Sequence, residues 1–225
     1  MQIKTEGLLE FEQWRLRYHL PEGLKPHPVL LLVHGWTGDE NVMWIFTSRL
    51  SPRYLILSPR GLYPAADGGF GWEPRLQRSW PKVEDFRPSV DALLTMLDGL
   101  KTKEYGRPFR GVEQDFSTLN IMGFSQGAAL AYTLALLHPE RVQRLAGLSG
   151  FLPEDADRLV YSQPLLDKPV FIAHGLRDER VPVEKARTAA RLLREAGADV
   201  SYCEEDVGHK LALSCFHELE EFFIL

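Results

Sequence analysis

Short apolar runs alternate along this chain with segments of helical period. Residues 29–33 (VLLLV) and 54–57 (YLIL) are continuous apolar runs, as in strands covered on both faces. Similar runs recur at 119–122, 145–148, 170–173 and 200–203. Residues 8–18 (LLEFEQWRLRY) instead alternate apolar and polar, which predicts one half-exposed strand at a sheet edge. In the segment 89–101, Val90, Leu93, Leu94 and Leu97 fall on one helical face, and 128–137 and 186–193 follow the same period. Gly197 is the expected C-cap of the last of these. Strands alternating with helices predict a mostly parallel sheet with right-handed crossovers and helices on its faces. No repeat or composition break divides the chain, so residues 1–225 are read as one domain. Two stretches break the rhythm: 59–81, rich in Gly, Pro and aromatics, and the shorter 150–168. The first exceeds the roughly 12–15 residues at which irregular loops tend to be functional.

Composition narrows the classes of function. With 44% hydrophobic residues and 18 Gly and 15 Pro spread among 225 residues, the chain is neither disordered, collagenous nor a coiled coil. The balance of 26 Lys plus Arg against 31 Asp plus Glu, net −5, offers no basic face, so nucleic acid is not an expected partner. The apolar runs fall far short of the roughly 18 residues of a spanning helix, so stable membrane insertion is not expected either. Glu6, Glu10 and Glu12 interrupt the stretch that a signal peptide keeps apolar, and the expected location is the cytoplasm. Cys203 and Cys215 lack CxxC spacing and are too few for a thiolate metal cage. They are expected to be two buried reduced thiols, with a disulfide as the alternative. The pattern specifies no oligomeric state.

The chemistry concentrates at Gly123-Phe124-Ser125-Gln126-Gly127, which follows a predicted strand and opens a predicted helix. In that setting GxSxG is a nucleophile elbow: the serine is pushed clear of the backbone, and the flanking glycines avoid crowding neighbouring strand and helix. The Gln126 amide then lies in the first helical turn, where unpaired N–H groups and the dipole favour an oxyanion. The bland alternative is a glycine-flanked serine acting as N-cap. Ser149 also follows a strand, but Phe151 stands where the elbow needs Gly.

A serine hydroxyl requires a base. Of seven histidines, His34 and His174 sit in His-Gly pairs at strand ends and are read as shaping turns; His138 ends a helix. His19 and His27 lie near the N-terminus, and His217 falls inside the final helix. His209, after Gly208 and between the last strand and the last helix, is the expected general base. Asp178, directly after the 170–173 strand, is the expected acid that orients it, with Glu179 and Asp206 as alternatives. The order Ser125, Asp178, His209 is that of the α/β-hydrolase sheet, with each member at a strand's C-terminal end. The loop after the 29–33 strand should supply the second oxyanion donor, assigned to the Trp36 backbone N–H. Phe70, Trp72, Trp80, Phe151 and Leu152 are the expected further pocket walls, with plain loop packing as their alternative.

These residues fall in blocks that resemble a known family: HGWTGDE at 34–40, PRG at 59–61, GFSQGAAL at 123–130, LSGFLP at 148–153 and HGLRDERVP at 174–182. Over nearly its whole length the chain is similar to the small carboxylesterases of the phospholipase and acyl-protein thioesterase type, within the α/β-hydrolases. The resemblance implies the same triad and oxyanion donors, a single α/β-hydrolase domain without a large cap, and no metal or organic cofactor. With the triad read above, the expected reaction is hydrolysis of small-molecule carboxylic or thio esters through an acyl-enzyme, on short to medium acyl chains. The chain departs from the family at Ser79-Trp80-Pro81-Lys82, where an aromatic residue and an aspartate usually follow the tryptophan, and in the acidic approach to His209 at 204–208. A serine peptidase on the same sheet and a non-catalytic receptor reusing the pocket are the rival readings.

Overall fold

A computed structural model describes residues 6–23, 26–74, 80–101, 109 and 112–224. Ser79 and part of the 59–81 loop lie outside the described residues. Eight strands form one sheet in the order β1-β2-β4-β3-β7-β8-β9-β10. They are β1 (Glu6–Phe11), β2 (Trp14–His19), β3 (His27–Val33), β4 (Leu55–Pro59), β7 (Gln114–Phe124), β8 (Val142–Leu148), β9 (Pro169–Gly175) and β10 (Asp199–Glu205). Two-residue strands β5 (Tyr63–Pro64) and β6 (Phe70–Gly71) form a separate ribbon inside the 59–81 loop. Within the eight-stranded sheet, β4-β3-β7-β8-β9-β10 pair in parallel throughout; β1 and β2 pair antiparallel with each other, and β2 pairs antiparallel with β4.

Alternation within the buried strands decides which layer each side chain joins. Val29, Leu31 and Val33 of β3 point into a core shared with α1 (Val83–Gly99), α2 (Gln126–Leu137) and α3 (Val183–Glu195). Leu30 and Leu32 point into the opposite core, completed by the 3-10 helix Val42–Arg49 and by α4 (Leu213–Phe222). Val170 and Ile172 against Phe171 and Ala173 in β9 repeat the split. Both sheet faces are therefore covered, which is why the central strands read as continuous apolar runs.

Three expectations are corrected. The predicted edge strand at 8–18 is a hairpin, because Glu12 takes φ 50 and turns the chain between β1 and β2. The helix expected from 89 begins at Val83. Pro88, the sixth residue of this helix, lies inside it and removes one i→i−4 hydrogen bond; the entry is held by Asp85 Oδ2 accepting from Lys82 N–H and Asp155 Oδ1 accepting from Val83 N–H. The cysteines are not reduced thiols: Cys203 in β10 and Cys215 in α4 form a disulfide, with Cα atoms 5.7 Å apart. Twelve residues of separation say nothing of this; the fold of α4 back onto β10 creates the approach. Gly197 does follow α3, at φ 90. No described helix is long and apolar enough to cross a membrane.

Candidate active site

Ser125 connects β7 to α2 at φ 54 and ψ −116, a conformation costing a non-glycine residue of order 1–3 kcal/mol. Its surroundings hold it there. Ser125 N–H donates to Leu148 O at the end of β8 (2.8 Å). Glycine is required on both sides. A Cβ on Gly123 would lie 2.4 Å from Gly127 O, and one on Gly127 would lie 2.2 Å from Val33 O, both rigid backbone atoms.

The segments that carry Asp178 and His209 leave adjacent parallel strands and stay laced together. Leu176 N–H donates to Glu205 O (2.8 Å) and Arg177 N–H to Val207 O (2.9 Å). His209 Nε2 is 3.1 Å from Ser125 Oγ, and His209 Nδ1 is 2.7 Å from Asp178 Oδ2. The other carboxylate oxygen, Oδ1, accepts from Arg180 N–H and Val181 N–H, each at 2.9 Å. Asp178 is thus buried with its acceptors occupied and fixed in direction. Because the carboxylate accepts, the His209 proton sits on Nδ1, leaving Nε2 to accept from the serine hydroxyl. Phe124 backs the imidazole, ring centroids 5.0 Å apart.

The alternatives lie elsewhere. Asp206 faces solvent and pairs with Arg177 (2.6 Å), and Glu179 is exposed. Ser149 is buried, with a hydroxyl that has no hydrogen-bond partner among the described residues.

Two further histidines support the site without joining the relay. Gly61 N–H donates to His34 Nε2 (2.9 Å), so Nδ1 carries the proton and donates to Gly35 O (2.7 Å). Burial lowers the His34 pKa to about 4. His174 donates from Nε2 to Val181 O (2.8 Å), and burial also lowers its pKa, so it packs beneath Asp178 as a neutral ring.

A cleft of about 970 Å³ opens over Ser125, bordered by Gly35, Trp36, Gln126 and His209. That volume is ample for a small-molecule ligand. Trp80 and Phe151 wall it, edge to face at 4.7 Å, with the Lys185 ammonium 4.5 Å from the Trp80 ring centre. The remaining expected wall residues stand apart from the cleft. Trp72 is fully buried: its indole N–H donates to His34 O (2.8 Å), and its ring packs on His34. Phe70 lies beneath the Arg60 guanidinium (4.6 Å), and Leu152 is in the core. A lone aromatic in a loop cannot be sorted between wall and strut by composition.

Sequence reading missed the charged rim of this cleft, formed by Asp67, Glu73, Asp85 and Arg180. It also missed the role of the Gln126 side chain. Gln126 Oε1 accepts from Trp72 N–H (2.9 Å) and Nε2 donates to Glu73 Oε1 (3.0 Å), pinning the 59–81 loop to the elbow helix. Glu40, almost wholly buried, accepts from Arg60 at 2.7 and 3.0 Å and has Arg15 Nε 2.9 Å away. Burial pushes the Glu40 carboxyl upward, but the Arg60 hydrogen bonds and a backbone amide outweigh it and hold the group below its ordinary range. This cluster clamps the 34–40 segment to β2 and β4. The HGWTGDE and PRG blocks contain two of its three members, which is the signal that could have found it. Among the described residues no group of three or more His, Cys, Asp or Glu side chains is arranged to hold a metal.

Residues 21–224 match the sequence profile of the phospholipase/carboxylesterase family. Among solved structures, a carboxylesterase from Mesorhizobium loti superposes with a TM-score of 0.79 over 97% of this chain and 98% of that one, at 23% identity. Among curated relatives, acyl-protein thioesterase 1 of Gibberella zeae is 30% identical over 162 residues, 64% of this chain and 66% of that protein. A protein of Oryza sativa subsp. japonica named a probable inactive carboxylesterase is 32% identical over 102 residues, 44% of this chain and 40% of that protein. The matches span less than two thirds of these two relatives. With the profile covering almost the whole chain and the sheet, elbow and flanking helices all in place, the protein belongs to the phospholipase/carboxylesterase family and has the α/β-hydrolase fold.

Proposed function

We propose that this protein is a serine esterase that hydrolyses small-molecule carboxylic esters through an acyl-enzyme. The observation that carries the reading is the unbroken relay from Ser125 Oγ through His209 (3.1 Å) to Asp178 (2.7 Å), open to a large cleft. His209 Nε2 takes the hydroxyl proton as Ser125 Oγ attacks the ester carbonyl. Asp178 keeps the imidazole aligned and stabilises its positive charge. The tetrahedral oxyanion is received by the backbone N–H groups of Trp36 and Gln126, two residues that border the cleft. Collapse expels the alcohol, to which His209 returns the proton. A water deprotonated by His209 then releases the acid. The cycle draws on no metal or organic cofactor. The same steps extend to thioesters, the bond named in the relative from Gibberella zeae.

Replacing Ser125 by Ala should leave the melting temperature close to that of the parent and reduce turnover of p-nitrophenyl butyrate by about 10⁴-fold or more. A fluorophosphonate should label Ser125 in the parent and nothing in the variant. Turnover retained in Ser125→Ala would refute the reading. Hydrolysis of a peptide amide at rates comparable to the ester would move the protein to the peptidase reading.

A further inference from the structure

Among the described residues that border the catalytic cleft, Arg180 is the one permanent cation. Its backbone is fixed on both sides. Arg180 N–H donates to Asp178 Oδ1 (2.9 Å), so the residue stands one carboxylate and one imidazole away from Ser125. Val181 N–H donates to the same oxygen, and Val181 O accepts from His174 Nε2 (2.8 Å). Backbone held in this way leaves the guanidinium only its own side-chain torsions.

The guanidinium itself is uncommitted. Arg177 is spent on Asp206 (2.6 Å) and Arg187 on Glu184 and Glu204 (both 2.8 Å). Arg180 has no ion pair and no side-chain hydrogen bond among the described residues. Lys185, in the first turn of α3, adds a second positive charge on this side, its ammonium 4.5 Å from the centre of the Trp80 ring that walls the cleft.

The carboxylates of the rim leave Arg180 unanswered. Glu73 accepts from Gln126 Nε2 (3.0 Å), Asp85 accepts from Lys82 N–H (2.7 Å), and Glu179 is exposed and outside the cleft border. Asp67 lies in the turn between β5 and β6, a ribbon bonded to the segment after β3 where Phe70 N–H donates to Gly38 O (2.9 Å). Arg180 instead follows β9. Because β7 and β8 separate β3 from β9, the strands on which Asp67 and Arg180 depend are three spacings apart, about 14 Å. That exceeds the screening length of about 8 Å at physiological ionic strength. The cleft is thus acidic on its β3 side and cationic on its β9 side, with Ser125, at the end of β7, between them.

We propose that Arg180 is a specificity-determining residue whose guanidinium binds a carboxylate carried by the ester substrate, remote from the carbonyl held at Ser125. The proposal rests on the esterase reading above. The planar fork of a guanidinium matches a carboxylate through two parallel N–H···O bonds. A phosphate, with a charge of about −1.5 to −2 near pH 7, meets Asp67, Glu73 and Asp85 with up to twice the repulsion, so the monoanion fits better. The carboxylate can belong to the acid or to the alcohol portion of the ester.

Two pairs of esters test this, each pair differing by one charge. On the alcohol side 4-acetoxybenzoate is compared with 4-acetoxybenzamide; on the acyl side mono(4-nitrophenyl) adipate is compared with 4-nitrophenyl adipamate. Intrinsic reactivity within a pair is the same for every variant, so a change in the ratio of anionic to neutral kcat/KM reports recognition of the charge. Arg180→Gln should lower that ratio by about tenfold or more in one pair, and that pair identifies the portion that carries the carboxylate. Arg180→Lys should recover part of the loss, because it restores the charge without the fork. Raising NaCl from 0.05 to 0.5 M should lower the ratio in the parent and leave it unmoved in Arg180→Gln. The Arg180 side chain is exposed, and the backbone N–H that serves Asp178 survives both substitutions. A ratio unchanged in both pairs overturns the proposal, as does an equal fall for anionic and neutral esters, which would mark Arg180 as a support for Asp178.

A readout without turnover separates failure of this site from failure of the esterase reading. The Kd of 4-acetoxybenzoate for the Ser125→Ala protein, measured by ligand-observed NMR, should rise about tenfold once Arg180→Gln is added. Affinity indifferent to Arg180 overturns the proposal even if esters are hydrolysed; affinity that depends on Arg180 upholds the carboxylate site even if none is.

Discussion

His34 shows how a residue outside the serine–histidine–aspartate relay can govern the protein's response to pH. Its ring accepts from Gly61 N–H and donates to Gly35 O, an arrangement available only to the neutral imidazole. Its pKa of about 4 in the folded protein lies below the roughly 6.5 of an unfolded chain. A depressed histidine of this kind contributes stability that is complete above about pH 6.5 and is lost as pH falls toward 4. The shift corresponds to about 3 kcal/mol, and the lowered pKa of His174 adds in the same direction. Urea unfolding followed between pH 7.5 and 4.5 should therefore show a falling midpoint and net proton uptake on unfolding at pH 5.5; a constant midpoint would contradict this account. Gln126 supplies a second test at this scale. Gln126→Ala retains the backbone N–H assigned to the oxyanion but removes the acceptor of the Trp72 N–H and one donor to the buried Glu73 carboxylate. The expected loss is about 2 kcal/mol of stability, read by denaturant unfolding, with kcat/KM falling as the 59–81 loop loosens.

Elements carry what single residues cannot. His209 lies on the segment joining β10 to α4, and the disulfide between Cys203 and Cys215 closes that segment at both ends. A cross-link over a separation of 12 residues stabilises by about 3 kcal/mol, chiefly by restricting the unfolded chain. Cys203→Ser paired with Cys215→Ser should unfold at correspondingly lower urea, and kcat should fall because the base has gained freedom relative to Ser125. Thiol titration of the denatured, unreduced parent should return no free thiol; two would show that the bond does not form. The elbow is the opposite kind of element, fixed by the absence of atoms. Gly123 and Gly127 were legible in the sequence because crowding at a strand-to-helix turn follows from the turn itself. The β1–β2 hairpin left only a faint mark: Glu12 at positive φ carries no residue-type signal comparable to Gly or Asn, and the turn shows in the sequence only as the polar pair Glu12-Gln13, across which the apolar positions shift from Leu9 and Phe11 to Trp14, Leu16 and Tyr18.

At the scale of the whole molecule, the sheet converts three distant stretches of sequence into one site. β7, β8, β9 and β10 are successive parallel neighbours, so the loops after β7, β9 and β10 open at the same edge and bring Ser125, Asp178 and His209 together. The charged cleft opens at this same edge, over Ser125. The disulfide also bears on where such a molecule works: stable cystines belong to oxidising compartments, which runs against the cytoplasmic expectation drawn from the N-terminal glutamates.

The sequence alone determined the strand and helix rhythm, the elbow, and the order of serine, aspartate and histidine, because each depends on neighbouring residues or on a motif whose spacing is set by local sterics. Tertiary structure alone decided the strand order, the pairing of the cysteines, the burial of Trp72 against the exposure of Ile45, and the fastening of the 59–81 loop by Gln126. Each of these depends on which surfaces meet after the sheet is assembled, and a one-dimensional pattern of polar and apolar positions contains periods and spacings but no distances between elements.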